Sequence, residues 1–167
     1  MSKKVAYFDL DGTLIAPRFW NGSNYVSGFT QEVWDSFCRQ YPETAYNSCR
    51  VVPAILDYAK ILKSAGYKLY VLTAAYSEYD ERAKLSCYNN RPELKDTFDG
   101  IIFSKDGPDK IEFLSRRIRL GEFNPVDCIL VEDSFNTIWG AAGLGITCLH
   151  ISNIYSGLLG EVVDENP

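Results

Sequence analysis

The sequence predicts a three-layer α/β fold: a Rossmann-like parallel sheet of about five strands, with helices on both faces and one small helical insertion. Three observations predict it. Short apolar runs of strand length alternate with stretches of helical periodicity along most of the chain. Glycines at 66 and 121 close two of the helical stretches just before the next strand region. Alternation at these lengths requires crossover connections, which join parallel strands and place helices on the two faces. Only one stretch, Ala16 to Arg50, breaks the rhythm.

Val5-Ala6-Tyr7-Phe8 reads as a buried first strand. The stretch from Ala16 to Arg50 follows, with Phe19, Trp20, Tyr25, Phe29, Trp34, Phe37, Tyr41 and Tyr46. Thr30 to Gln40 within it fits one amphipathic helix. We read 16–50 as a small cap inserted at the end of the first strand, and 1–15 with 51–167 as the core. Pro53 to Ala65 is a helix: Pro53 suits its first turn, and Ile55, Leu56, Ala59 and Leu62 form its stripe. Lys68 to Leu72 is the second strand. Ser77, with Asp80 three residues on, opens a helix that runs to about Cys87. Gly100 to Phe103 is the third strand, and Asp109 to Leu120 a helix with Ile111, Leu114 and Ile118 on one face. Cys128 to Val131 is the fourth strand. Asn136 to Leu144 is a helix whose Ala and Gly residues permit close packing, and Ile146 to Ile151 is the fifth strand. The tail from Gly157 is weakly patterned, with Leu158-Leu159 and Val162-Val163 as docking points.

Composition narrows the function. With 167 residues and 46% apolar content, the chain builds a core without disulfide staples. The net charge is −5 and no Lys/Arg run exceeds two residues, so no nucleic-acid-binding patch is expected. A nucleotide as a small substrate stays open. No apolar stretch approaches the roughly 20 residues that cross a membrane. The first residues lead straight into the motif-bearing strand, so no signal peptide is read there. The cysteines at 38, 49, 87, 128 and 148 form no C-x-x-C pair. Reduced thiols in a cytoplasmic protein are the expectation, with Cys128 and Cys148 buried in strands.

The chemistry begins at Phe8-Asp9-Leu10-Asp11-Gly12-Thr13-Leu14. Two carboxylates two residues apart follow a buried strand and meet a glycine. At the carboxyl end of that strand both reach one site, and two such charges need a cation or a retained proton. Magnesium suits the pair, because it binds one or two carboxylates together with phosphate oxygens. Thr73 and Asp133 also follow apolar strands, on the same edge of the sheet. In an open parallel sheet, ligands bind beyond that edge where the strand order reverses.

The Asp9-Leu10-Asp11-Gly12-Thr13 string resembles the first motif of the haloacid dehalogenase (HAD) superfamily. Leu72-Thr73-Ala74 is similar to the second motif, a Lys near the start of a later helix to the third, and Val131-Glu132-Asp133-Ser134 to the fourth. The resemblance implies the HAD-like fold and, with Asp11 present, the phosphatase branch. It further implies that Asp9 attacks phosphorus and becomes an aspartyl-phosphate. Asp11 would pass the proton to the leaving oxygen and take one from water. Asp9, Asp133 and the backbone carbonyl of Asp11 would hold Mg2+. Thr73, with the adjoining Ala74, would bind phosphoryl oxygens, and a lysine would neutralise the site. Lys110 fits the lysine pattern better, with Lys105 as the alternative.

Other chemistries lack their residues. His150 is the sole histidine, no Cys has an Arg six positions on, and no P-loop string occurs. The expected substrate is a small phosphorylated metabolite or nucleotide, with Trp20 and Tyr25 of the cap as contacts. The alternatives are a macromolecular phosphate or a catalytically idle binding module. Self-association is left open.

Overall fold

A computed structural model describes residues 3–16, 30–104 and 109–154 in full, and the backbone alone at 19–20 and 25–26. Lys105 and the tail from Gly157 lie outside the described residues.

In chain order the elements are β1 (Val5–Phe8), β2 (Ile15–Ala16), β3 (Phe19–Trp20), β4 (Tyr25–Val26), α1 (Gln31–Gln40), β5 (Arg50–Val51), α2 (Pro53–Ser64) and β6 (Lys68–Thr73). Then follow α3 (Glu78–Asn89), α4 (Pro92–Thr97), β7 (Gly100–Phe103), α5 (Lys110–Arg119), β8 (Cys128–Glu132), α6 (Phe135–Gly143) and β9 (Thr147–His150). Five strands make one parallel sheet in the order β7-β6-β1-β8-β9. The expected alternation of strands and helices is therefore observed.

The order places β1 between β6 and β8, with Phe8 level with both Val71 and Val131. Successive connections leave β1 in opposite directions, so the strand order reverses there. That reversal opens a crevice at the carboxyl ends of β1 and β8.

Period-two alternation divides β1 between two cores. Ala6 and Phe8 join Leu69 and Val71 under α2, α3 and α4, through Ile55, Ala59, Cys87 and Leu94. Val5 and Tyr7 face the other way, with Leu72 and Leu130, against Leu114 of α5 and Ala141 of α6. A strand buried on both faces must be apolar throughout, which explains why β1 shows no polar alternation. The α5–α6 packing is close: a Cβ on Gly140 would lie 2.7 Å from Ile111.

The region from 16 to 50 begins and ends as a ladder. Ile15 and Ala16 pair antiparallel with Val51 and Arg50, and β3 pairs with β4 as a second ribbon. These short pairings, and helix α4, had no clear signature in the sequence. Two-residue strands are below the length at which alternation is visible. Helix α1 starts at Thr30, whose side chain accepts from the Val33 amide. It packs along α3. Trp34 Nε1 donates to Asp80 at 2.9 Å, Ser77 Oγ donates to Asp35, and Arg39 lies over the Tyr79 ring.

The fifth strand is shorter than expected: it spans Thr147 to His150, and the backbone turns helical at Ile151. Cys128 is buried, whereas Cys148, expected to be buried as well, is only partly so. Thr147 to His150 form the edge of the sheet, where a strand lacks cover on one side.

Candidate active site

Asp9 follows β1 directly and prolongs its ladder, donating its N–H to the Val131 carbonyl at 3.0 Å. The chain then folds back on itself, with Ile15 N–H donating to Leu10 O at 2.8 Å. Gly12 makes this turn at φ +78°, a conformation that side chains disfavour. It has a second constraint: a Cβ there would stand 2.3 Å from Asp133 Oδ2. The glycine thus lets the loop after β1 touch the acid after β8.

Lys110 enters from the opposite side. Asp109 caps α5, accepting from Ile111 N–H at 2.8 Å, so Lys110 is the first helical residue. Its Nζ lies 2.5 Å from Asp9 Oδ1 and 2.7 Å from Glu132 Oε2. All three side chains are almost fully buried. Burial opposes the charged form of Lys110, yet Asp9 and Glu132 together overcome it and hold its pKa above the usual lysine range. Burial pushes the Asp9 and Glu132 carboxyls up, and Lys110 pulls each back. Lys110, the preferred lysine, thus reaches the first motif, while Lys105 lies outside the described residues.

Glu132 was quoted in the fourth motif but given no role by the sequence. The structure gives it three bonds: Oε2 to Lys110, and Oε1 from the N–H groups of Asp133 and Ser134 at 3.2 Å each. Carboxylate oxygens of Asp9, Glu132 and Asp133 all lie within 4.8 Å of one another. Lys110 pairs with two of these three acids, Asp9 and Glu132.

The all-oxygen donor set fits a divalent, oxygen-seeking cation such as Mg2+. No His or Cys belongs to the cluster. Both Glu132 oxygens already accept hydrogen bonds, and one Asp9 oxygen is taken by Lys110.

Asp11 is oriented differently from Asp9. Its Oδ1 accepts from Tyr46 Oη at 2.8 Å, and its Oδ2 pairs with Lys84 Nζ at 3.2 Å. Thr73 ends β6, fully buried, with its hydroxyl 3.3 Å from the Ala74 carbonyl. Ala74 O also accepts from Lys84. The side chains of Trp20 and Tyr25 lie outside the described residues. His150 stands beside Asp133. His150 Nδ1 accepts from Ser152 N–H, which leaves Nε2–H to donate to the Asp133 carbonyl at 3.1 Å.

Lys84, Asp80 and Tyr46 were missed as site residues. A signal for two of them existed. Asp80 and Lys84 share a helical stripe with Ala83 and Cys87, and charges on an apolar stripe are unusual.

No protein-family model matches the chain, and no curated protein sequence does. Solved structures do. A haloacid dehalogenase-like family hydrolase from Streptococcus pneumoniae matches with a TM-score of 0.55 at 21% identity, over 89% of this chain and 84% of that one. CbbY from Rhodobacter sphaeroides, in complex with phosphate, matches with a TM-score of 0.59 at 17% identity, over 90% and 86%. A HAD family enzyme from Bacteroides thetaiotaomicron, as a magnesium complex, matches at 0.57 and 15%, over 90% and 93%. The class is therefore defined: the chain has the fold of the HAD superfamily hydrolases. Within that class, the particular features of this chain are the Asp9–Lys110–Glu132 cluster and the Asp11–Lys84 pair beside it.

Proposed function

We propose that the chain is a magnesium-dependent phosphomonoester hydrolase that works through an aspartyl-phosphate. The observation that carries the reading is Asp9, buried just after β1, held by Lys110 and with a carboxylate oxygen within 4.8 Å of one from Asp133. CbbY, which shares the fold, has been solved with phosphate and with xylulose-1,5-bisphosphate, and the Bacteroides enzyme with magnesium. Those complexes support a small phosphorylated substrate.

In this reading Asp9 attacks phosphorus and the phosphorus–oxygen bond to the leaving group breaks. Lys110 offsets the repulsion between the carboxylate and the phosphoryl oxygens, and Glu132 keeps that lysine in place. Asp11 supplies the leaving oxygen with a proton. It then withdraws one from the water that hydrolyses the acyl phosphate. Thr73 turns its hydroxyl from the Ala74 carbonyl to the phosphoryl group, beside Ala74. Asp9, Asp133 and the Asp11 carbonyl would hold Mg2+, which would supply charge neutralisation at the phosphoryl group. The region from 16 to 50 serves as a small cap. Its Tyr46 already stands at Asp11, and Trp20 and Tyr25 are proposed to meet the substrate.

The test is hydrolysis of an aryl phosphate. Wild-type protein should turn it over with magnesium and lose activity in excess EDTA. Asp9→Asn should fold normally and be inert; a rate above about a tenth of wild type would sink the nucleophile assignment.

A further inference from the structure

Lys84 is the second buried lysine beside the site, and nothing in the scheme above uses it. Its side chain is 5% exposed, and its ammonium faces three oxygens: Ala74 O, Asp80 Oδ2 and Asp11 Oδ2. Burial opposes its charge, but Asp11 and Asp80 more than restore it. Asp80 is fully buried and is itself fixed by the Trp34 indole N–H at 2.9 Å and the Tyr76 amide at 3.1 Å. Tyr46, also buried, packs edge-on against Trp34, with ring centroids 5.4 Å apart, and donates to the other oxygen of Asp11.

A buried ion pair of this kind is a poor way to stabilise a fold, because apolar residues of the same volume do as well or better. Its geometry serves something else. Asp80 already balances the charge of Lys84, so Asp11 meets a fixed donor more than a net positive charge. With Tyr46 on one oxygen and Lys84 on the other, a side chain that is about a third exposed is held in one orientation. Proton transfer rewards that: misplacing a reacting group by about an ångström can cost on the order of 100-fold.

We propose that Lys84 and Tyr46 are positioning residues that hold Asp11 for proton transfer. This rests on the reading of Asp11 as proton donor. The test is kcat/KM across aryl phosphates from phenyl to 2,4-dinitrophenyl, at fixed pH and saturating magnesium. A proton donor matters for a basic leaving group and little for dinitrophenolate. Asp11→Asn should therefore lose about 100-fold with phenyl phosphate and far less with the dinitrophenyl ester. Lys84→Met and Tyr46→Phe should tilt the series the same way, with at least a 10-fold and 3-fold greater loss, respectively, on phenyl phosphate, as an order-of-magnitude expectation. A merely structural role would lower the whole series without tilting it, and that outcome overturns the proposal. Lys84→Met strands Asp80, so Asp80→Asn/Lys84→Met and Tyr46→Phe decide the matter if the single variant does not fold. If Asp11→Asn itself shows no tilt, the proton-donor reading fails. If Asp11→Asn tilts the series and the others do not, only the positioning role fails.

Discussion

Two buried lysines flank the loop after β1, and each bridges an acid of that loop to an acid from elsewhere. Lys110 joins Asp9 to Glu132, and Lys84 joins Asp11 to Asp80. The difference lies in what else holds them. The Lys110 cluster is built from β1, β8 and α5 alone. The Lys84 cluster also takes Tyr46 and Trp34 from the region between β1 and α2. The position of Asp9, the proposed nucleophile, is thus fixed by the core. The position of Asp11, the proposed proton-transfer group, depends on how that additional region is seated.

The strongest way to break this comparison is Lys110→Ala. It should cost at least ~100-fold in rate, about 2.7 kcal/mol, with every aryl phosphate alike. A loss confined to basic leaving groups would mean that Lys110 and Lys84 do the same work. Gly12→Ala should damage both clusters at once, since its Cβ collides with Asp133 and its φ is strained. We expect a loss of about 1–3 kcal/mol in urea unfolding and weaker magnesium activation. Unchanged magnesium dependence would argue against Asp133 as a ligand.

Trp34→Phe removes the indole N–H from Asp80 and part of the ring that packs on Tyr46. A buried acceptor left short of a donor costs about 1–3 kcal/mol. Phenyl phosphate turnover should fall a few-fold, with little change for the dinitrophenyl ester. Equal losses on both esters would detach α1 from the proton-transfer group.

The smallest effect concerns thiols. Burial pushes Cys38, Cys87 and Cys128 up to about 12. They stay protonated at pH 8 and should react with a disulfide reagent far more slowly than in urea. Each thiol's contribution to stability is complete below its unfolded value of 9.0 and is lost as pH rises towards about 12. Cys38 and Cys87 lie on α1 and α3, and Cys128 on β8. Earlier modification of the first two would show the Lys84 side opening first; simultaneous modification would show a single cooperative unit.

What the sequence determined by itself is local. Apolar runs marked β1, β6, β7 and β8; for β1, at the centre of the sheet, the reason is that a strand buried on both faces must be apolar along its length. The residues at the carboxyl ends of three of those strands, Asp9, Thr73 and Asp133, could be read as one edge, since parallel strands end on the same side. Lys110 was legible as the residue that opens a helix. The tertiary structure alone decided which charges meet. Helical periodicity shows that Asp80 and Lys84 face inward, but it does not show that Asp11 awaits them 73 residues back along the chain. Tyr46 offered no sign at all, because a buried aromatic serves a core equally well. Those meetings follow from the order β7-β6-β1-β8-β9, which sets β6 and its following helix beside β1. Strand order is settled by the packing of the whole sheet, and no window of sequence contains it.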